Sequence, residues 1–209
     1  MSDPTPAGRA EHWARVYSTR AVDAVSWYQA EPTVSVELID ALGVDRAEGV
    51  VDVGGGASVL VDRLIDRGYA DVAVVDIAGA ALAAGRARVG ADAPVDWVVA
   101  DVLTWAPGRR YDLWHDRAVL HFLAGDEVAG YRATLERVLA PGGAVVLGAF
   151  APDGPDSCSG LAVTRYDADG LAGVLGTGFE VVASRREVHV TPSGVSQPFT
   201  WVAARRLAG

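Results

Sequence analysis

The chain has 209 residues, half of them hydrophobic, and a net charge of −9. That length suits one sizeable core, a single domain over 1–209, and the charge argues against a generic nucleic-acid binder, which needs clustered basic residues. No uninterrupted apolar run approaches a membrane span, and a lone cysteine with no apolar leader excludes an internal disulfide and suggests a cytoplasmic location.

Residues 1–8, rich in proline and small residues, read as a disordered start. A helix follows over about 10–19, with Trp13 and Tyr17 at i, i+4 on one face. The segment VSWYQAEP places Trp27 and Tyr28 side by side before a proline, and a second amphipathic helix over 34–42 leads to Gly43.

The stretch GVVDVGGGASVLVDRLIDRGYADVAVVDI comes next. A β-branched run meets Gly54, Gly55 and Gly56, an apolar-periodic helix follows, and a strand over 72–75 closes on Asp76 with Ile77 behind it. Strand, glycine turn, helix, strand and acid make a nucleotide-binding βαβ unit. Glycines let the backbone turn sharply and approach a ligand, since they carry no Cβ. Asp76 lies about twenty residues beyond them, the separation at which a carboxylate accepts ribose hydroxyls. A dinucleotide fingerprint would have a third glycine where Val59 stands. Asp52, just ahead of the turn, would repel a pyrophosphate and suits a cationic ligand.

An alanine-rich helix is predicted over 79–89 and a third strand over 95–100, ending in Asp101 and Val102. Residues 111–115 read as a fourth strand, with Asp116, Arg117 and His121 at its mouth, where ligands of open α/β sheets lie. A helix over 126–139, closed by APGG, leads to a fifth strand over 143–150. After a polar loop holding Cys158 and a short helix near 167–175, two long strands are joined by residues 192–194.

The arrangement D-x-G-G-G-x-S followed by Asp76, the pattern HW-x-x-x-Y…W-Y ahead of it and the APGG-to-strand transition resemble class I S-adenosylmethionine (SAM) methyltransferases. The resemblance covers nearly the whole chain, most specifically 49–150. It implies a three-layer αβα sandwich whose seven-stranded, mostly parallel sheet has an antiparallel last strand, with 1–44 as an N-terminal helical cap and 45–209 as a Rossmann-like core. It implies that Asp52 and the Gly54, Gly55, Gly56 turn approach the methionine portion of SAM, Asp76 with Ile77 the ribose, and Asp101 with Val102 the adenine. Asp116 and Arg117 would stand beside the methyl group, Trp13 and Tyr17 over the cofactor, and Arg20 within reach of the methionine carboxylate.

Methyl transfer needs alignment, exclusion of water and sometimes a base. His121 could be that base, with Asp116, or a structural histidine. His115 inside its strand reads as packed, and His189 could face pocket or solvent. Trp27, Tyr28, His121 and Cys158 are candidates for contact with the acceptor, although Cys158 also reads as a buried thiol. No close ligand spacing supports a metal. The expected activity is methyl transfer to an S, N or O atom of a small molecule, with protein lysine as an alternative acceptor and a SAM-binding protein without turnover as the non-enzymatic one. The turn H-D-R-A departs from the D-K-G-T type of the protein-lysine enzymes.

Overall fold

The computed structural model describes residues 6–208. The expectation for residues 1–5 lies outside them, but the first helix, α1 (Pro6–Thr19), begins four residues earlier than the sequence pattern suggests. A second helix, α2 (Thr33–Leu42), ends at Gly43, whose left-handed φ of 63° lets its N–H close on the Asp40 carbonyl. The βαβ unit runs β1 (Val50–Val53), α3 (Leu60–Asp66) and β2 (Val72–Asp76). Then come α4 (Gly79–Val89), β3 (Val95–Val99), β4 (Tyr111–Arg117), α5 (Asp126–Val138) and β5 (Leu139–Phe150). A two-residue ladder, β6 (Ser157–Cys158) and β7 (Leu161–Ala162), precedes α6 (Ala168–Leu175) and the closing hairpin of β8 (Phe179–Val190) and β9 (Ser196–Arg206).

The sheet has the order β3-β2-β1-β4-β5-β9-β8. Neighbours from β3 to β5 are parallel, while β9 runs antiparallel to both β5 and β8. This is the expected seven-stranded, three-layer αβα arrangement with a reversed last strand. Two strands have a boundary that differs from expectation by more than one residue. β4 continues through Arg117, so Asp116 lies inside the strand, and β5 begins at Leu139 because that residue already pairs with Tyr111 before the register shifts. Among the described residues no helix is long and apolar enough to cross a membrane.

Strand parity decides which helical layer each side chain meets. Val50, Val72, Val74 and Leu113 pack into one core with Leu38 and Ile39 of α2 and Leu64 of α3. Val51, Val53, Val75 and Trp114 pack into the other with Tyr131 and Leu135 of α5 and Leu171 of α6. Asp52 and its cross-strand partner His115 therefore face α2, whereas Asp116 faces α5. Each layer seals apolar area on one face of the sheet, leaving the carboxyl ends of the strands as the open rim, over which α1 and the segment 25–29 lie.

Candidate active site

The glycine turn shapes the floor. Gly54 has φ +68°, donates its N–H to Val75 O at 2.6 Å, and has no space for a Cβ, which would overlap the Val119 side chain. A Cβ on Gly55 would run into the Asp52 carboxylate, and one on Gly56 would stand 2.7 Å from Asp76 Oδ2. Backbone thus takes the place of side chain along the edge where three carboxylates gather.

Each of those carboxylates gives one oxygen to the fold. Asp52 Oδ1 lies 2.7 Å from His115 Nδ1, and His115 Nε2 lies 2.9 Å from Ser35 Oγ on α2, so a buried chain links strand, neighbouring strand and cap. Asp76 Oδ1 accepts the Ala78 N–H at 2.7 Å. Asp101 Oδ1 accepts the Leu103 N–H at 2.9 Å. The second oxygens of Asp52 and Asp101 are enclosed without a hydrogen-bond partner, a costly state unless a ligand supplies the donor. Burial pushes the Asp76 carboxyl up to about 7, with the Ala78 N–H pulling the other way and the Asp52 charge adding to the rise.

Two adjoining recesses open at this edge. The larger, about 860 Å³ including its mouth, is walled by Asp76, Ile77, Asp101 and Val102 on one side and by Trp13, Trp27, Phe122 and Cys158 on the other. The smaller, about 580 Å³, is lined by Asp52, Gly54, Gly55, Tyr28, Ser35 and His115. Tyr17, Trp27 and Arg117 border both. The aromatic wall is held edge to face, with Trp13 ring centroids 5.5 Å from Trp27 and 5.2 Å from Phe122, and Trp27 Nε1–H donates to Tyr17 Oη at 3.2 Å. Of the cofactor-side residues read from the sequence, Gly56 lines neither recess and instead backs onto Asp76.

Besides Gly56, three expected site residues do not reach the cavity. Arg20 is exposed at the end of α1 and borders neither recess. Asp116 is fully buried and gives Oδ1 to the Val119 N–H at 2.8 Å and Oδ2 to the Leu120 N–H at 3.1 Å and the Tyr131 hydroxyl at 2.6 Å. It anchors the turn after β4, because strand parity points it at α5. Burial raises its carboxyl to about 6 against those three hydrogen bonds. His121, expected as a base, is fully buried between Phe122 and Phe150, with ring centroids 4.4 and 4.6 Å away. Burial and the Arg117 charge lower it to about 3, so it is neutral at ordinary pH and out of reach of the recess.

Two groups that do line the larger recess hold their protons. Burial raises the Cys158 thiol to about 11 and the Tyr17 hydroxyl well above its ordinary value. His189 turns inward and meets Ser26 O at 2.7 Å without lining either recess. Among the described residues no group of three or more His, Cys, Asp or Glu stands where it could hold a metal ion.

The pattern reading missed Arg9. It lies one turn before Trp13 on the face of α1 that lines the larger recess, its Nη1 donates to Glu127 Oε1 at 2.7 Å, and its Nη2 is 4.0 Å from Asp101 Oδ2. The signal was present in the i, i+4, i+8 spacing of Arg9, Trp13 and Tyr17, but the helix was expected to begin after Arg9. His115 and Ser35 were hidden for a different reason. His115 meets Asp52 across 63 residues and Ser35 meets His115 across 80, and no local pattern announces such contacts.

Residues 50–143 match the family of methyltransferase domains. The trans-aconitate 2-methyltransferase of Acidovorax sp. (strain JS42) is 35% identical over 126 residues, which are 60% of this chain and 46% of that protein, so the chain matches about half the length of this curated relative. Among solved structures, a protein from work on the conversion of a disulfide bond into a thioacetal group during echinomycin biosynthesis superposes with TM-score 0.79 at 20% identity, covering 96% of this chain and 94% of that one. The 1,6-didemethyltoxoflavin-N1-methyltransferase of Burkholderia thailandensis, solved with its acceptor and S-adenosylhomocysteine (SAH), superposes with TM-score 0.72 at 21% identity, covering 99% and 92%.

Proposed function

We propose that this chain, which has the class I methyltransferase fold and carries a methyltransferase domain over residues 50–143, binds SAM and catalyses methyl transfer to a small-molecule acceptor, leaving SAH. SAM supplies an electrophilic methyl carbon on a sulfonium, with a neutral thioether as leaving group. The observation that carries the reading is the set of three strand-end aspartates, each with one oxygen tied to the fold and the other not tied to it by a hydrogen bond, at the rim of an apolar cavity.

The free oxygens fit a ligand rich in donors and positive charge. Asp52, in the smaller recess, would accept from the methionine ammonium. Asp76 would accept the ribose hydroxyls, and Asp101 with Val102 would meet the adenine edge. Gly54 and Gly55 bring backbone close without a clash, and Trp13, Tyr17 and Trp27 offer aromatic faces to a sulfonium and exclude water. NAD fits less well, because its pyrophosphate would meet the enclosed Asp52 carboxylate. The named relatives act on small molecules, trans-aconitate and 1,6-didemethyltoxoflavin, which supports an acceptor of that size here.

Calorimetric titration with SAM, SAH and NAD tests the cofactor. Micromolar binding of the first two and none of NAD is expected; the reverse pattern overturns the assignment. Labelled SAM with a panel of small thiols, carboxylates, phenols and amines then separates an enzyme from a binding protein without turnover.

A further inference from the structure

We propose, building on the methyl-transfer reading above, that the acceptor is an anion at the atom that takes the methyl group, and that Arg117 holds that anion against the wall of Trp13, Trp27 and Phe122.

Arg117 closes β4 and borders both recesses. Its Nη1 donates to Trp27 O at 2.9 Å, but its Nε and Nη2 are enclosed with no hydrogen-bond partner. Its guanidinium carbon sits 4.7 Å over the ring of Phe199 on β9. Among the described residues, no carboxylate forms an ion pair with it. Glu187, the charge that acts on it most strongly, has both oxygens engaged, by Gln29 Nε2 and by Trp201 Nε1, each at 2.8 Å. Burial lowers its pKa to about 10, so the group stays charged at neutral pH. A buried cation with two unsatisfied donors is costly to maintain, and a ligand that brings an anionic oxygen or sulfur removes the cost.

The position of the group favours the acceptor as the source of that anion. Phe199 belongs to β9, which lies beyond β5 on the side of β4 away from β1 and β2. Asp52, Asp76 and Asp101 all lie on the β1–β3 side. The guanidinium therefore stacks on the β9 side of β4; it feels the Asp52 charge across the smaller recess but pairs with none of the three acids that fit the cofactor.

The carboxylates that line the recess, Asp76 and Asp101, stand on the side that fits the cofactor, and the other side has nothing to take a proton from the acceptor. Tyr17 and Cys158 are held protonated by burial, and His121 is sealed behind the wall. A neutral acceptor with an X–H bond would have nowhere to pass its proton, and an amine would develop positive charge beside Arg117. An anionic nucleophile meets neither obstacle. Its lone pair forms the bond to the methyl carbon as the carbon–sulfur bond breaks, the electron pair of that bond returns to sulfur, and the two opposite charges disappear together with no proton released.

The test titrates SAH-loaded protein with benzoate and thiophenolate, and with benzamide and aniline as neutral counterparts of similar shape. The anions are expected to bind at least tenfold more tightly than the neutral pair. Arg117→Met should remove that preference while SAH affinity stays within threefold, and Arg117→Lys should keep part of it. With labelled SAM, thiophenolate is expected to be methylated and aniline not.

The proposal is overturned if neither anion binds, if the neutral probes bind as tightly, or if aniline is methylated as fast as thiophenolate. It is also overturned if Arg117→Met abolishes SAH binding in a folded protein, since the guanidinium would then hold the methionine carboxylate. Should Arg117→Met fail to fold, the wild-type preference and the lysine variant decide. Failure of the wild type to bind SAH strikes the methyl-transfer reading instead.

Discussion

The mouths of β1, β2 and β3 and the mouth of β4 each carry an aspartate at or next to the end of the strand, and the two regions use it in opposite ways. On the first three strands, Asp52, Asp76 and Asp101 each tie one oxygen to the fold through His115, the Ala78 N–H and the Leu103 N–H respectively. On β4, Asp116 ties both, to two backbone N–H groups and the Tyr131 hydroxyl. A strand-end acid in this fold is thus available to a ligand when an oxygen remains over and a loop anchor when none does. Arg9 and Arg117 differ in charge pairing instead: Arg9 is ion-paired with Glu127 and keeps one unpartnered donor, Nη2, whereas Arg117 has no carboxylate partner and keeps two. Spare hydrogen-bonding capacity at the rim of a recess, and not residue type alone, is what sets these groups apart, since His121 Nε2 is also unpartnered but lies outside both recesses.

That distinction breaks most visibly at Asp116. Asp116→Ala orphans two buried N–H groups and a buried hydroxyl, and should lower stability by about 3–5 kcal/mol in urea unfolding. SAH affinity of the folded fraction should change little. An unchanged unfolding midpoint would mean that Asp116 is no anchor and is available to a ligand. Asp76→Ala should show the reverse pattern, weakening SAH binding by about 2–3 kcal/mol in calorimetry, the scale for hydrogen bonds to a charged group. It should leave the unfolding midpoint near or above that of the wild type at pH 8, because a buried charge is removed.

The pH dependence of binding sharpens the same point. Burial raises Asp76 to about 7, so the ionised form that, on the proposed function, would accept both ribose hydroxyls is lost as pH falls through 7. SAH affinity should therefore drop between pH 8 and pH 6, and Asp76→Asn should flatten that slope. The sign for the ligand-free fold is opposite. A carboxyl raised above its unfolded value gives stability that is present at low pH and is lost as pH rises through about 7. A slope of SAH affinity that persists in Asp76→Asn would assign the titration to another group. The smallest effect is expected at His121. Its neutral ring packs against two phenylalanines with Nε2 unpartnered, so His121→Phe should keep methyl transfer and change stability by less than about 1.5 kcal/mol. A fall in turnover with SAH affinity intact would return His121 to the chemistry.

Much of this was legible in the order of residues. The span of α4, 79–89, follows from its alanine-rich run, and Asp76 and Asp101 were found as acids after β-branched runs. Trp13 and Tyr17 were found by their i, i+4 spacing, and both line the larger recess. The errors cluster at the mouth of β4. Ending that strand two residues early left Asp116 facing the rim in expectation, while one more step of pleat turned it towards α5. His121, five residues further, looked like a base because its chemistry suits one. Its burial depends on Phe150, which is 29 residues away, and on the Arg117 charge beside it.

Glycine conformation, strand and helix periodicity and the carboxylate after a strand depend on near neighbours in the chain, so the architecture and the acidic side of the cavity follow from local pattern. Whether an acid, a base or a guanidinium is left with an unsatisfied atom depends on donors and acceptors brought from distant segments: Ser35 to His115, Tyr131 to Asp116, Trp27 to Arg117. Those partners meet only when the layers pack on the sheet, and burial then makes each remaining oxygen or N–H strong enough to demand a ligand.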